Sequence, residues 1–107
     1  QVNEGPFLPI QAMPNASLAT GEVQSVSSHP ARRQDALIRL RVDRAESLPG
    51  LPDFVASEVG RSIDVVVRRG RRLNLRAGET VQLKISYEGD EHGGGFYANA
   101  ADYQVIS

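Results

Sequence analysis

An arginine-rich segment in the second half of the chain is the clearest group of side chains that could do chemistry. It carries five arginines within nine residues: Arg68, Arg69, Arg71, Arg72 and Arg76. A guanidinium binds phosphate, sulfate or carboxylate oxygens through two parallel N–H donors. If this segment is a hairpin tip, its side chains fan outward and can hold a polyanion or an acidic protein. The alternative is a solvated turn with Asp and Glu neighbours, which we favour over a nucleic-acid contact.

Two further arginines, Arg39 and Arg41, alternate with apolar residues in the stretch 36–46. A period of two places them on the outward face of a strand, where they could extend an anion-binding surface. The alternative is a cross-strand ion pair with Asp64, worth a few tenths of a kcal/mol (~0.2–0.5). We favour the ion pair for these two residues.

The near-neutral total charge hides an uneven distribution. The chain has 107 residues and a net charge of −1, with 12 basic and 13 acidic residues. Residues 1–31 carry −2, residues 32–76 carry +5 from eleven arginines against six acids, and residues 77–107 carry −4. A basic middle and an acidic end can form an anion-binding face, or the two parts can lie together and neutralise each other. For a compact β domain we favour neutralisation.

Other chemistries find little support. The chain has no cysteine, which excludes disulfides, cysteine-bound zinc and a cysteine nucleophile. The triplet Asp90–Glu91–His92 has too few ligands for a calcium or zinc site, and we predict no metal and no cofactor. The serines near His29 lack the strand–turn–helix elbow of a hydrolase nucleophile, and no phosphate-binding loop is present. We therefore predict a non-enzymatic protein.

The hydrophobic pattern predicts an all-β domain. Five segments read as strands: 18–28, 36–46, 61–69, 79–88 and 96–106, the last interrupted near 100–102. One short helix fits 53–59, where Asp53 can cap a turn. Residues 1–17 carry three prolines and form an irregular arm or linker before a single domain at 18–107. No apolar run is long enough to span a membrane.

Five strands in so short a chain are best buried by closing into a small antiparallel barrel. In layout, the strands at 37–42, 63–67 and 81–87 resemble the OB-fold family of five-stranded Greek-key barrels, and the resemblance covers about residues 18–106. No single motif carries it. OB-folds usually place a helix between strands three and four, where the segment 70–78 is too short to hold one. A flattened β-sandwich or another small barrel stays an alternative.

These observations predict a binding or assembly module that meets a protein or polyanionic partner through its arginine turn. The alternative is a single-stranded nucleic-acid-binding OB-fold protein, which needs exposed aromatic rings as stacking surfaces. Three residues could supply them, Phe96, Tyr97 and Tyr103, whereas Phe54 and Tyr87 are predicted to be core. The arginine bias, together with a resemblance of 78–79 and 87–97 to small extracytoplasmic β domains, favours a bacterial protein that is periplasmic or secreted.

Overall fold

The computed structural model describes residues 14–90 and 93–106, except the side chain of Asp90. Its five strands are β1 (Ser17–Ser28), β2 (Ala36–Ser47), β3 (Ser62–Arg68), β4 (Thr80–Asp90) and β5 (Gly93–Val105). Helical structure in this part of the chain is limited to two 3-10 turns, Ala56–Glu58 and Gly70–Arg72. The all-β prediction is confirmed. No helix among the described residues is long and apolar enough to cross a membrane.

The strands form one sheet that closes into a ring in the order β1–β2–β3–β5–β4. Four of the pairings are antiparallel, as expected from the sequence, and the fifth, between β3 and β5, is parallel. A ring with an odd number of strands cannot alternate direction all the way round, so one parallel pair is required. The ends of β1, β3 and β5 therefore share one end of the ring with the starts of β2 and β4.

The core fills the inside of the ring with every second residue of β2, β3, β4 and the first half of β1, and β5 adds Ala98. On β2 the side chains of Ile38, Leu40 and Val42 are fully buried, and the arginines between them are exposed. The same alternation on β3 and β4 buries six more aliphatic side chains: Ile63, Val65, Val67, Val81, Leu83 and Ile85. This confirms the period-two prediction. Burial of such aliphatic side chains contributes about 1.5–3 kcal/mol each.

The connection between β2 and β3 covers the other end of the ring. Asp53 Oδ1 accepts the backbone N–H groups of Val55 and Ala56, each at 2.9 Å, and the hydroxyl of Ser17. This turn directs Val55 into the core, where it is 1% exposed. Its neighbour Phe54 then points outward and is 42% exposed, so the prediction that Phe54 is core is wrong.

The glycine-rich segment at 89–95 contributes to strands rather than forming only a turn. β4 continues to Asp90 and β5 already begins at Gly93, so both strands extend beyond the predicted bounds 79–88 and 96–106, and Gly89 pairs with Gly94. The hydroxyl of Tyr87 lies against Gly94, where a Cβ atom would collide with it. Glycine is therefore used here to make room for the tyrosine side chain.

Candidate anion-binding site

Two connections meet at the end of the ring where β1 and β3 finish. Residues 29–35 join β1 to β2, and residues 69–79 join β3 to β4. Between them lies a half-open cleft of about 820 Å³, lined by Arg33, Gln34, Arg69, Arg71 and Arg72. We refer to this cavity as the arginine cleft. Three of its four arginines belong to the predicted cluster, and Arg33 was not anticipated.

Hydrogen bonds between backbone and side-chain groups join the two connections that line the cleft. The Asp35 carboxylate is 6% exposed, and it accepts the backbone N–H of Arg69 at 3.0 Å. The carbonyl of Gln34 accepts the N–H of Arg71 at 3.2 Å, and the Arg33 carbonyl accepts a guanidinium N–H of Arg71 at 3.4 Å. The arginine backbones are therefore positioned before any ligand arrives, which reduces the ordering cost of binding.

Arg69 holds an unusual backbone conformation at the point where the chain leaves β3. Its φ of 58° and ψ of 24° lie in the left-handed region, and it is the one non-glycine residue with positive φ among those described. Such a conformation costs about 1–2 kcal/mol for a residue with a Cβ atom. The hydrogen bond from its N–H to the buried Asp35 helps to hold it.

His29 organises the β1–β2 connection. Its Nδ1 accepts the backbone N–H groups of Ala31 and Arg32, both at 3.1 Å, and its own N–H donates to the Asp35 carbonyl at 3.0 Å. These bonds require a lone pair on Nδ1 and fold the connection back toward β2. His29 is therefore placed as a turn-forming residue beside the cleft.

Several predicted site residues are neutralised by carboxylates. Arg39 lies opposite Asp64 in the β2–β3 register, and Nε is 3.2 Å from Oδ1, which confirms the favoured ion pair. Arg41 contacts Glu22 at 3.1 Å and Asp43 at 3.2 Å. Both arginines are on the outer face of β2 and do not line the arginine cleft. Exposed pairs of this kind stabilise a protein by less than about 1 kcal/mol.

Arg68 is the member of the arginine cluster that the acidic C-terminal third neutralises. Its guanidinium makes two bonds to Glu88, at 2.9 Å and 2.5 Å, and lies 4.4 Å above the ring centroid of Tyr97. Hydrogen bonding to Glu88 raises the pKa of Arg68, and the same contact lowers the pKa of the Glu88 carboxyl. The expected cancellation of charge is thus local to this pair.

The arginine cleft itself keeps its positive charge. Within residues 14–90 and 93–106, no ion pair joins a carboxylate to Arg33, Arg69, Arg71 or Arg72. The cluster's last member, Arg76, donates its N–H to Glu79 at 3.0 Å and its Nε to Asn74 at 3.4 Å, and it does not line the cleft. The sequence cluster therefore divides into a paired Arg68, a separate Arg76 and three arginines that share one cavity.

The aromatic residues predicted as exposed surfaces are partly covered. Tyr97 lies under the Arg68 guanidinium, and Phe96 packs edge-to-face against Tyr87 with ring centroids 5.4 Å apart. Tyr103 packs against the core and donates its hydroxyl to Glu79 at 3.1 Å. Desolvation, followed by this contact with Glu79, raises the pKa of Tyr103 to about 12. Tyr97 is the one of the three that keeps its ring on the outer face of the sheet beside an arginine.

Two members of the triplet considered for a metal site, Glu91 and His92, lie outside the described residues. Among the described residues, no three metal-ligating side chains come together. The cleft itself offers guanidinium donors and one amide, which suit oxyanions.

Comparison with protein-family models, with curated proteins and with solved structures gave no match. The geometry of the arginine cleft is therefore the basis for inferring a function.

Proposed function

We propose that this chain is a non-enzymatic binding module that holds a polyanionic partner in the arginine cleft. The observation that carries the proposal is the grouping of Arg33, Arg69, Arg71 and Arg72 around one open cavity without an ion-paired carboxylate among the described residues. Four like charges so close repel one another, and a multivalent anion relieves that repulsion. Bidentate guanidinium contacts would give such an anion both affinity and orientation.

The ring supports assignment to the OB-fold family as part of this proposal. Five strands that close into one ring in the order β1–β2–β3–β5–β4 are compatible with the five-stranded Greek-key barrel of that family. The helix that usually joins the third and fourth strands is replaced by the short turn Gly70–Arg72. OB-folds bind oligomeric ligands beside the connection between their first two strands, and the arginine cleft uses that connection.

A salt titration with heparin as the probe tests the proposed function. Each guanidinium–anion contact releases counterions, so the double variant Arg69→Gln/Arg72→Gln should lower the slope of log affinity against log salt by about 2. The matched control Arg44→Gln/Arg61→Gln removes the same charge from exposed arginines outside the cleft and should change the slope much less. Equal effects of the two double variants would contradict a localised site.

A second candidate, binding of single-stranded nucleic acid, draws on the outer face of the sheet. Leu37, Val66 and Tyr97 stand opposite one another on β2, β3 and β5, and all three are half-buried. A base stacked on Tyr97 beside Arg68 would be worth about 1–3 kcal/mol. Tyr97→Ala should then weaken binding of an oligothymidine by about tenfold or more while leaving heparin binding unchanged. Loss of neither interaction in this variant would exclude stacking on Tyr97.

A further inference from the structure

The last part of β5, residues 100–105, has one edge without a paired strand. We refer to the space beside this edge as the lane. The parallel pairing of β3 with β5 ends at Arg68 and Asn99, because the chain leaves the sheet at Arg69. It turns toward the β1–β2 connection, where the Arg71 N–H binds the Gln34 carbonyl. β5 nevertheless continues to Val105. Within the described chain, residues 100–105 therefore have no strand neighbour on the side that β3 has left.

The same part of β5 is also partly released from β4. Leu83 pairs with Tyr103 but Ile85 pairs with Ala98, so β5 carries three more residues than β4 across this interval. The extra residues form a bulge between Ala98 and Tyr103, at the interruption predicted from the sequence near 100–102. A second cavity of about 430 Å³ lies here, lined by Arg68, Arg69, Asn99, Ala100, Ala101 and Asp102. It shares Arg69 with the arginine cleft.

We propose that an acidic extended peptide of a partner protein occupies this lane, with its backbone paired to β5 and its carboxylates in the arginine cleft. The inference rests on the proposed function and names the class of polyanion. Strand addition to an exposed edge is a general mode of peptide recognition, in which backbone bonds give affinity and side-chain pockets give specificity. Of the six residues along the lane, 100–102 lie in the bulge beside the second cavity and 103–105 keep regular register with β4, so the lane suits a short peptide.

Charge and chemistry on this edge favour a peptide over a nucleic acid. Asp102 is exposed on the edge, and its carboxylate would repel a phosphodiester backbone, which carries one charge at every residue. A peptide backbone is neutral and can hydrogen-bond to free N–H and C=O groups of β5. It places negative charge only where its acidic side chains reach the arginine cleft. The small side chains of Ala100 and Ala101 leave room for a strand beside them.

Backbone N-methylation of the peptide separates strand addition from simple charge attraction. The probe is a fluorescein-labelled extended peptide with glutamates in the half that reaches the arginine cleft and threonines in the half beside Asp102. It is made in two further forms with N-methyl groups on the odd or on the even residues. A strand uses every second N–H toward its neighbour, so one methylation pattern should weaken binding by about tenfold or more and the other should not. Both patterns carry the same charge and serve as matched controls for each other.

The binding measurement is fluorescence anisotropy with the wild-type chain, supported by amide NMR shifts at residues 100–105. Equal effects of the two methylation patterns, whether binding is kept or lost, would overturn the inference. Tighter binding of an oligothymidine of equal charge would overturn it in favour of nucleic acid. If heparin binding still depends on Arg69 and Arg72 in either case, the proposed polyanion function survives. If heparin also fails to bind, both proposals fall.

Discussion

Replacing Gly70 by alanine tests whether the floor of the arginine cleft is as tightly packed as the structure shows. Gly70 is buried in the 3-10 turn, and its backbone does not have the positive φ that would require glycine. If only the backbone mattered, Gly→Ala should stabilise the fold by about 0.4–1 kcal/mol, because alanine lowers the conformational entropy of the unfolded chain. A Cβ atom at this position, however, would lie 2.8 Å from Val67 Cγ1 and 3.1 Å from Ala36 Cβ.

The two contacts decide the sign of the effect. Val67 and Ala36 are paired strand residues in the core, so neither can move freely. Overpacking of this kind costs about 1–3 kcal/mol, which exceeds the backbone gain and gives a net loss of about 1–2 kcal/mol. The free energy of unfolding from urea titrations measures this loss. Heparin affinity should fall as well, because Arg69 and Arg71 flank the displaced residue.

A double-mutant cycle with Val67→Ala isolates the steric contact. The single Val67→Ala variant loses about 2 kcal/mol by leaving a cavity, whereas the double variant uses that space and should lose at least about 1 kcal/mol less than the sum. Gly78→Ala is the control, since a Cβ atom at Gly78 would meet no atom within 4 Å although its φ is +95°. It should lose stability through backbone strain and show no coupling to Val67. A stabilising Gly70→Ala variant, or an additive cycle, would refute the reasoning.

Three further predictions concern single side chains. Arg69→Asn should keep or raise the free energy of unfolding, because asparagine tolerates the left-handed conformation, while heparin affinity falls; a large loss of stability would contradict this. The folded-state pKa of Tyr103 is about 12, against 10.0 for an ordinary tyrosine. The neutral hydroxyl therefore contributes its full stabilisation below pH 10.0, and this stabilisation is lost as the pH rises toward 12. Urea titrations at alkaline pH should show that Tyr103→Phe loses less stability with rising pH than the wild type does. The contact with Arg68 lowers the pKa of Glu88, so the ionised carboxylate stabilises the fold at pH values above the ordinary carboxyl pKa. This stabilisation is lost as the pH falls through the folded-state pKa. Arg68→Gln should therefore flatten the dependence of the free energy of unfolding on acid pH in the same assay.

The regular elements were predictable because their signal is local. Alternation along 36–46 and 79–88 predicts strands that the structure places at Ala36–Ser47 and Thr80–Asp90. The same periodicity predicts the Arg39–Asp64 pair if β2 and β3 are neighbours, and the structure pairs these two strands. The turn at Asp53 was also readable, because a short side-chain acceptor before a helical turn is a local motif.

The composition of the site depended on tertiary contacts that no local pattern records. Arg33 joins Arg69, Arg71 and Arg72 only because β2 and β3 bring their flanking connections to one end of the ring. The sequence feature that comes closest to indicating this site is Asp35, an acidic residue beside a strand in a basic region. Its role in positioning the Arg69 backbone is visible only from the hydrogen bond between them. Likewise, Arg68 could not be separated from its neighbours until the register placed Glu88 and Tyr97 within its reach.

The arginine cleft joins parts of the chain that are far apart in sequence. Its two sides meet through Asp35 with Arg69 and through Gln34 with Arg71, and both bonds span the β2–β3 pairing. An anion bound by both Arg33 and Arg72 would bridge the same two connections and stabilise the pairing of β2 with β3. Because the unfolded chain cannot present these groups together, a ligand of the proposed kind would shift the folding equilibrium toward the closed ring. Ligand binding and folding would then be one coupled equilibrium, in which the ligand's concentration would set the resistance of the domain to unfolding and to proteolysis.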